Sequence, residues 1–263
     1  MTNFTSLKGC LKIQIRVIGA LLMREVLTRY GRHNIGFLWL FVEPMLFTLG
    51  VTALWVVTKT AHGSNMPIVA FALTGYSSVL VWRNTVSRTA GAIMPNLSLM
   101  YHRNVHVIDV FASRIILEIF GAGTSFVVLT IFFLSINWIK VPDNILEVVF
   151  GWSMLAWFGA SLALFIGSIS ERSEIVEKIW HPVSYLLFPL SGAGFMVDWL
   201  PSQAQKVVSY LPMVHGVEIL REGFFGSMVH AHYSVSYMFS CNLVLTLFGL
   251  AMERDVSRRV EPE

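Results

Sequence analysis

Six long apolar stretches dominate the chain, and they constrain its fold more than any motif does. A helix needs about 20 apolar residues to cross a hydrocarbon core of about 30 Å. The stretches run from Ile35 to Thr58, from Pro67 to Trp82 with helix continuing past Arg83, from Ile115 to Ile139, from Val148 to Ile169, from Ile179 to Val197, and from Tyr233 to Met252. Only 13% of the 263 residues are charged, against about 25% in a soluble globule. With a mean hydropathy of +0.64, the chain is predicted to be an all-α integral membrane protein.

The fifth stretch carries Pro182, Pro189 and the small residues Ser191, Gly192, Ala193 and Gly194, so it is expected to be bent or broken. Between Asp198 and His232, Pro201 and Pro212 divide a segment too apolar for a loop and too interrupted for a span. Val207, Val208 and Leu211, then Val217, Leu220 and Phe224, keep helical spacing on either side of Pro212. The segment reads as two half-helices forming a re-entrant hairpin, with a peripheral cap as the alternative; irregular backbone at membrane depth has to be buried in protein.

Orientation follows from the cations in the short loops. With the N-terminus inside, only Lys59, Lys140, Lys206 and Arg221 of the 19 Lys and Arg fall outside. Both termini are therefore expected in the cytoplasm and the hairpin on the outer side. The opening Lys8, Lys12, Arg16 and the short apolar run after them resemble a signal peptide, but the run ends at Arg24 without a small-x-small site and is read as uncleaved.

Two inner segments stand apart. At about 100° per residue, Leu7, Leu11, Ile15, Ile18 and Leu22 share one face beside a strip of Lys8, Lys12 and Arg16, the pattern of an amphipathic helix lying on the inner leaflet. Between Arg83 and Asp109, Pro95 and Asn96 can start a short helix that presents Leu97, Leu99, Met100, Tyr101, His102 and Arg103. Such a knob suits a protein partner.

The chemistry inside the spans is sparse. Glu43, followed by Pro44, is the ionisable group of the first span, and a cation such as Arg29 or Arg32 is its expected partner. Arg114 and Glu118 lie one turn apart and are read as a local ion pair. His230 with His232, and His102 with His106, read as surface histidines, and no metal site is expected. Cys10 and Cys241 imply no disulfide framework. None of the six lysines follows a glycine, so the chain has no P-loop, and any ATP must be hydrolysed on another chain. Gly159, Ala163 and Gly167 form a small-residue stripe that serves either internal packing or a dimer seam.

The order of these elements over essentially the whole chain resembles the permease subunit of type-2 ABC exporters. The run Arg24-Glu25, Arg29-Tyr30-Gly31-Arg32, Gly36, Trp39, Glu43-Pro44 is similar to the start of polysaccharide-exporting members. So is Leu211-Pro212-Met213-Val214-His215-Gly216-Val217-Glu218, continuing through Arg221 to Phe224-Phe225, although Leu211 stands where asparagine is expected. The narrower resemblance is to the capsular polysaccharide export family.

That resemblance implies a cytoplasmic N-terminal region over residues 1–34, a six-span domain over 35–252 and a cytoplasmic tail over 253–263. It makes residues 95–106 a coupling helix and residues 201–226 a periplasmic gate, with Pro212, His215, Gly216, Glu218 and Arg221 as gate residues. It implies a homodimer with two ATPase subunits in the inner membrane of a Gram-negative bacterium. A periplasmic co-polymerase, an outer-membrane conduit and a lipid-linked polysaccharide substrate complete the set. ATP and magnesium would sit on the partner ATPase; no cofactor on this chain and no nucleic acid are expected. Trp39, Phe41, Tyr185 and Phe188 are the candidate aromatics for the passage wall. The rival readings are an O-antigen or teichoic acid exporter of the same architecture, a membrane-embedded glycolipid transferase resting on Glu43, and a structural scaffold.

Overall fold

The computed structural model describes residues 7–30, 38–58, 66–100 and 105–260, and among these every regular element is helical. In chain order the helices are α1 (Leu7–Tyr30), α2 (Trp39–Thr58), α3 (Ile68–Thr89), α4 (Leu97–Met100), α5 (Val107–Ser135), α6 (Ile145–Ser170), α7 (Glu174–Leu190), α8 (Ser202–Val208), α9 (Pro212–Phe225) and α10 (Val235–Val260). Four of them, α2, α5, α6 and α10, are long and apolar enough to cross a membrane.

Helix α3 falls outside that group because it sits at the centre of the bundle, packed by α2, α5, α6, α7 and α9. Its environment is protein on nearly every side, so it tolerates polar side chains that a lipid-facing helix would not. Those side chains bond within the helix: Thr74 Oγ1 donates to the Ala70 carbonyl at 2.8 Å and Thr89 Oγ1 to the Thr85 carbonyl at 2.7 Å. Trp82, fully buried, anchors the same helix against Phe158 of α6.

The small-residue stripe of α6 serves this internal packing. A methyl group at Gly159 would come within 2.9 Å of the Trp82 backbone, and one at Gly167 within 3.0 Å of Thr89 Cγ2, so the stripe brings α6 close to α3 within one chain. Helix α5 begins two turns before the apolar stretch that marks it, at Val107, because His106 and Asp109 close a capping box there. Helix α7 runs through Pro182 and ends just after Pro189, at Leu190, where Gly192 takes a positive φ of 84° that releases the chain from helix.

The proline-divided segment after Asp198 forms two helices. Helix α8 is short and largely exposed, whereas all but two residues of α9 are buried, against α3, α6 and α10. Pro212 occupies the first turn, where its missing N–H does no harm, and Leu211 precedes it without a side-chain cap. The contact is close: Gly216 leaves room for Leu155 and Met238, and Gly151 for the Leu220 backbone.

Helix α1 is longer than the amphipathic segment expected from sequence, and two faces emerge. Gln14, Val17, Leu21, Arg24 and Glu25 turn to the protein, while Leu11 and Ile15 of the expected apolar face are each 62% exposed. An exposed apolar stripe of this kind suits lipid.

Candidate functional site

One end of the bundle is organised by two buried charges one turn apart on α9, Glu218 and Arg221, exposed by 1% and 0%. Where α7 stops, the Ser191-to-Gly194 stretch leaves carbonyls that no helix satisfies. Arg221 Nη1 donates to the carbonyls of Gly192 and Phe195, both at 2.6 Å, and Nη2 to that of Ala193 at 2.6 Å. The guanidinium also lies 3.8 Å above the ring of Phe71. Its planar fork of donors suits three converging carbonyls.

Glu218 performs the complementary task. Its two oxygens accept the backbone N–H of Val197 at 3.2 Å and of His232 at 3.0 Å. Together the pair ties the segment after α7 and the segment before α10 to α9. His215 adds a third tie, since Nδ1 accepts the Ser234 N–H at 3.0 Å and Nε2 lies 2.9 Å from the Ser209 carbonyl, which fixes the Nε2–H tautomer. Burial lowers the His215 pKa from its usual value. His232 pairs at the surface with Asp198, 3.1 Å away.

From this hub a run of aromatic rings extends along α2, α3 and α7. Trp199 stacks on Phe71 at 5.2 Å, and Phe71 on Trp55 at 5.8 Å. Trp55 meets Tyr76 edge-on at 5.7 Å, and Tyr76 meets Phe188 at 5.3 Å, with Phe47 beside both. Of the four aromatics singled out in the sequence, Phe188 belongs to this run. Tyr185 lies one turn earlier on α7, 63% exposed, with the Arg83 guanidinium 4.1 Å over its ring. Phe41 points elsewhere, edge-on to Phe120 of α5 at 6.1 Å, and Trp39 is 49% exposed at the start of α2. Trp199, Phe71, Trp55 and Tyr76 lack any local motif; only the packing of three helices lines them up.

The other end is organised around residues 91–100 and 105–109. Asn96 turns inward, 4% exposed, donating to the Ala92 carbonyl at 2.8 Å and accepting from Arg24 of α1. Met100 is buried in the core, and Leu97 and Leu99 are partly covered. The outward side chains are Met94, 73% exposed, with Pro95 and Ser98. The surface on offer thus starts one residue before the expected helix and excludes Asn96 and Met100. Tyr101, His102 and Arg103 lie outside the described residues.

Both ends of this segment are held by α1, through Arg24 to Asn96 and Gln14 to Asp109. The end of α6 grips its start, as Glu171 accepts the Ile93 N–H at 3.0 Å and Ser170 the Gly91 N–H at 3.2 Å.

The ionisable groups singled out in the sequence take partners from other helices. Arg114 reaches across to Glu25 of α1 at 3.4 Å and donates to the Arg88 carbonyl at 2.7 Å, so it ties α1 and α3 to α5. Glu43 pairs with Arg88 of α3 at 3.0 Å, both about half exposed. Arg32, and the side chains of Arg29 and Tyr30, lie outside the description. Pro44 remains inside α2, and next to it the Ser125 hydroxyl donates to the Phe41 carbonyl at 2.7 Å.

The chain is 47% identical to the capsule polysaccharide export inner-membrane protein CtrC of Neisseria meningitidis serogroup B, over 98% of both chains. It is 42% identical to BexB of Haemophilus influenzae over the same shares, and 26% identical to the polysialic acid transport protein KpsM of Escherichia coli, over 92% of this chain and 94% of that one. The ABC-2 type transporter profile matches residues 16–225, and the chain belongs to the ABC-2 type transporter family.

Proposed function

We propose that the chain is the transmembrane subunit of an ATP-driven exporter that moves lipid-linked capsular polysaccharide across the bacterial inner membrane. The observation that carries this reading is the end-to-end similarity to capsule export proteins of two genera. In this reading two copies form the permease and each engages a separate ATPase subunit, which holds the ATP and magnesium. Helices α3 and α7 complete a six-span set with α2, α5, α6 and α10, both termini are cytoplasmic, and α8 with α9 forms the periplasmic gate. A periplasmic co-polymerase and an outer-membrane conduit receive the polymer.

The ring run offers a wall of suitable chemistry. A polymer held tightly at one point cannot advance, so a passage needs many weak contacts. Stacked and edge-on aromatic faces give such contacts. The exposed edges of Phe47, Tyr185 and Trp199 place part of this surface at the outside of one chain, available to a second copy and to cargo. On the inner side, Met94, Pro95 and Ser98 dock into the ATPase, and motion of this segment reaches α1, α5 and α6 through the bonds that clamp it. The transferase alternative is weakened because Glu43, its one candidate group, is engaged in a half-exposed ion pair with Arg88.

Deleting the gene in its own host and restoring it on a plasmid tests the proposal. Surface glycan falls and the polymer accumulates inside the deletion strain, and both effects reverse on restoration. Unchanged surface glycan in the deletion strain sinks the proposal.

A further inference from the structure

An open cavity of about 480 Å³ lies at the gate end, with Gln205, Lys206, Tyr210, His215, His232 and Tyr237 in its lining. Its size falls within the roughly 300–1,000 Å³ range of small-molecule sites. The gate helices supply only part of it, since the segment leading into α10 forms the opposite wall.

The walls are fixed and the groups facing the opening are varied. Tyr237 is held by its hydroxyl, which donates to the Tyr210 carbonyl at 2.8 Å, and its ring meets the edge of His215 at 5.2 Å. His215 has both nitrogens engaged by backbone, so it serves as floor. Beside it in the lining are Tyr210, 74% exposed, the exposed Lys206, the half-buried Gln205 and the His232 imidazole.

We infer that this cavity is a glycan subsite at the outer exit, taking a short stretch of neutral or mildly acidic sugar; the inference rests on the export function proposed above. Aromatic faces beside amide, ammonium, hydroxyl and imidazole groups match a pyranose, which is apolar on its ring faces and rich in hydroxyls at its edge. With Lys206 the one Lys, Arg, Asp or Glu side chain of the lining, fixed charge is low, and binding is weak enough to release a moving chain. Peptide capture calls for a sheet edge or an apolar groove. No strand occurs among the described residues to offer a sheet edge, and the lining mixes Ser, Gln, Lys and His side chains with the tyrosine rings.

The test places a photo-crosslinking benzoylphenylalanine at Tyr210, or at the exposed Trp138 on the α5–α6 turn as control, in the deletion strain carrying the full-length gene. The expected result is a glycan adduct at position 210, none at 138, and a several-fold lower yield at 210 when Lys206→Gln is added. Normal surface glycan with no adduct at 210, an equal adduct at 138, or a protein adduct alone overturns the subsite and leaves the export function standing. If gene deletion leaves surface glycan unchanged, the export function fails and the subsite falls with it.

Discussion

Replacing Arg221 with methionine keeps the length of the side chain but removes the donors to Gly192, Ala193 and Phe195, and leaves Glu218 buried without its cation. Leaving a buried acceptor without its donor is destabilising by about 1 to 3 kcal/mol. A thermal melt of the purified permease should show that loss, Arg221→Lys should not rescue it, and adding Glu218→Gln should recover part of it. A fully stable Arg221→Met protein refutes the clamp. Gly75 is held to glycine by the same packing, because a methyl group there would overlap the Ala193 carbonyl and come within 2.6 Å of Arg221 Nη2. Gly75→Ala should lower stability by about 1 to 3 kcal/mol, the range for overpacking. His215 makes this end of the protein sensitive to acid. Its folded pKa is depressed, so the unfolded chain binds the proton more readily; the stabilisation is full above the ordinary histidine value of 6.5 and is lost as pH falls from there toward the folded pKa. Melts between neutral and acidic pH should show a decline that His215→Gln flattens. Of these three residues, Arg221 and His215 were visible in the sequence as members of a motif, but the acceptors they serve were not, since those lie 20 or more residues away or on backbone atoms.

At the scale of single elements, α3 and the inner segment show where apolar pattern and structure part. Hydropathy finds a helix by its contrast with water, and α3 blurs that contrast because the bundle surrounds it and its hydroxyls bond to its own carbonyls. The inner segment was legible as a short helix beginning near Pro95. Which face it shows was not, because α1 folds against it and turns Asn96 inward. Substituting the exposed pair, Met94→Glu with Ser98→Arg, should abolish co-purification with the ATPase and leave the melting temperature unchanged. Asn96→Ala should instead lower the melting temperature, through loss of its bonds to Ala92 and Arg24. If the surface pair has no effect on ATPase binding, the docking surface lies elsewhere.

For the molecule as a whole, the excess of inner cations predicts sidedness, and cysteine labelling checks it. In a background with Cys10 and Cys241 replaced by serine, an impermeant maleimide should reach Lys206→Cys from the periplasm and Ser98→Cys only after the inner membrane is opened. The reverse pattern overturns the orientation. The sequence by itself determined that the chain is helical and membrane-embedded, because the free energy of transferring side chains to lipid adds residue by residue and can be read locally. It also carried the family resemblance, in two long spaced motifs at opposite ends of the chain. Only the tertiary structure decided that the α6 small residues pack on α3, that α9 belongs to the core, and that Trp199, Phe71, Trp55, Tyr76 and Phe188 form one continuous run of rings. Those features depend on contacts between residues far apart in the chain, whose energies arise from close packing and from hydrogen bonds to irregular backbone. No local pattern encodes them.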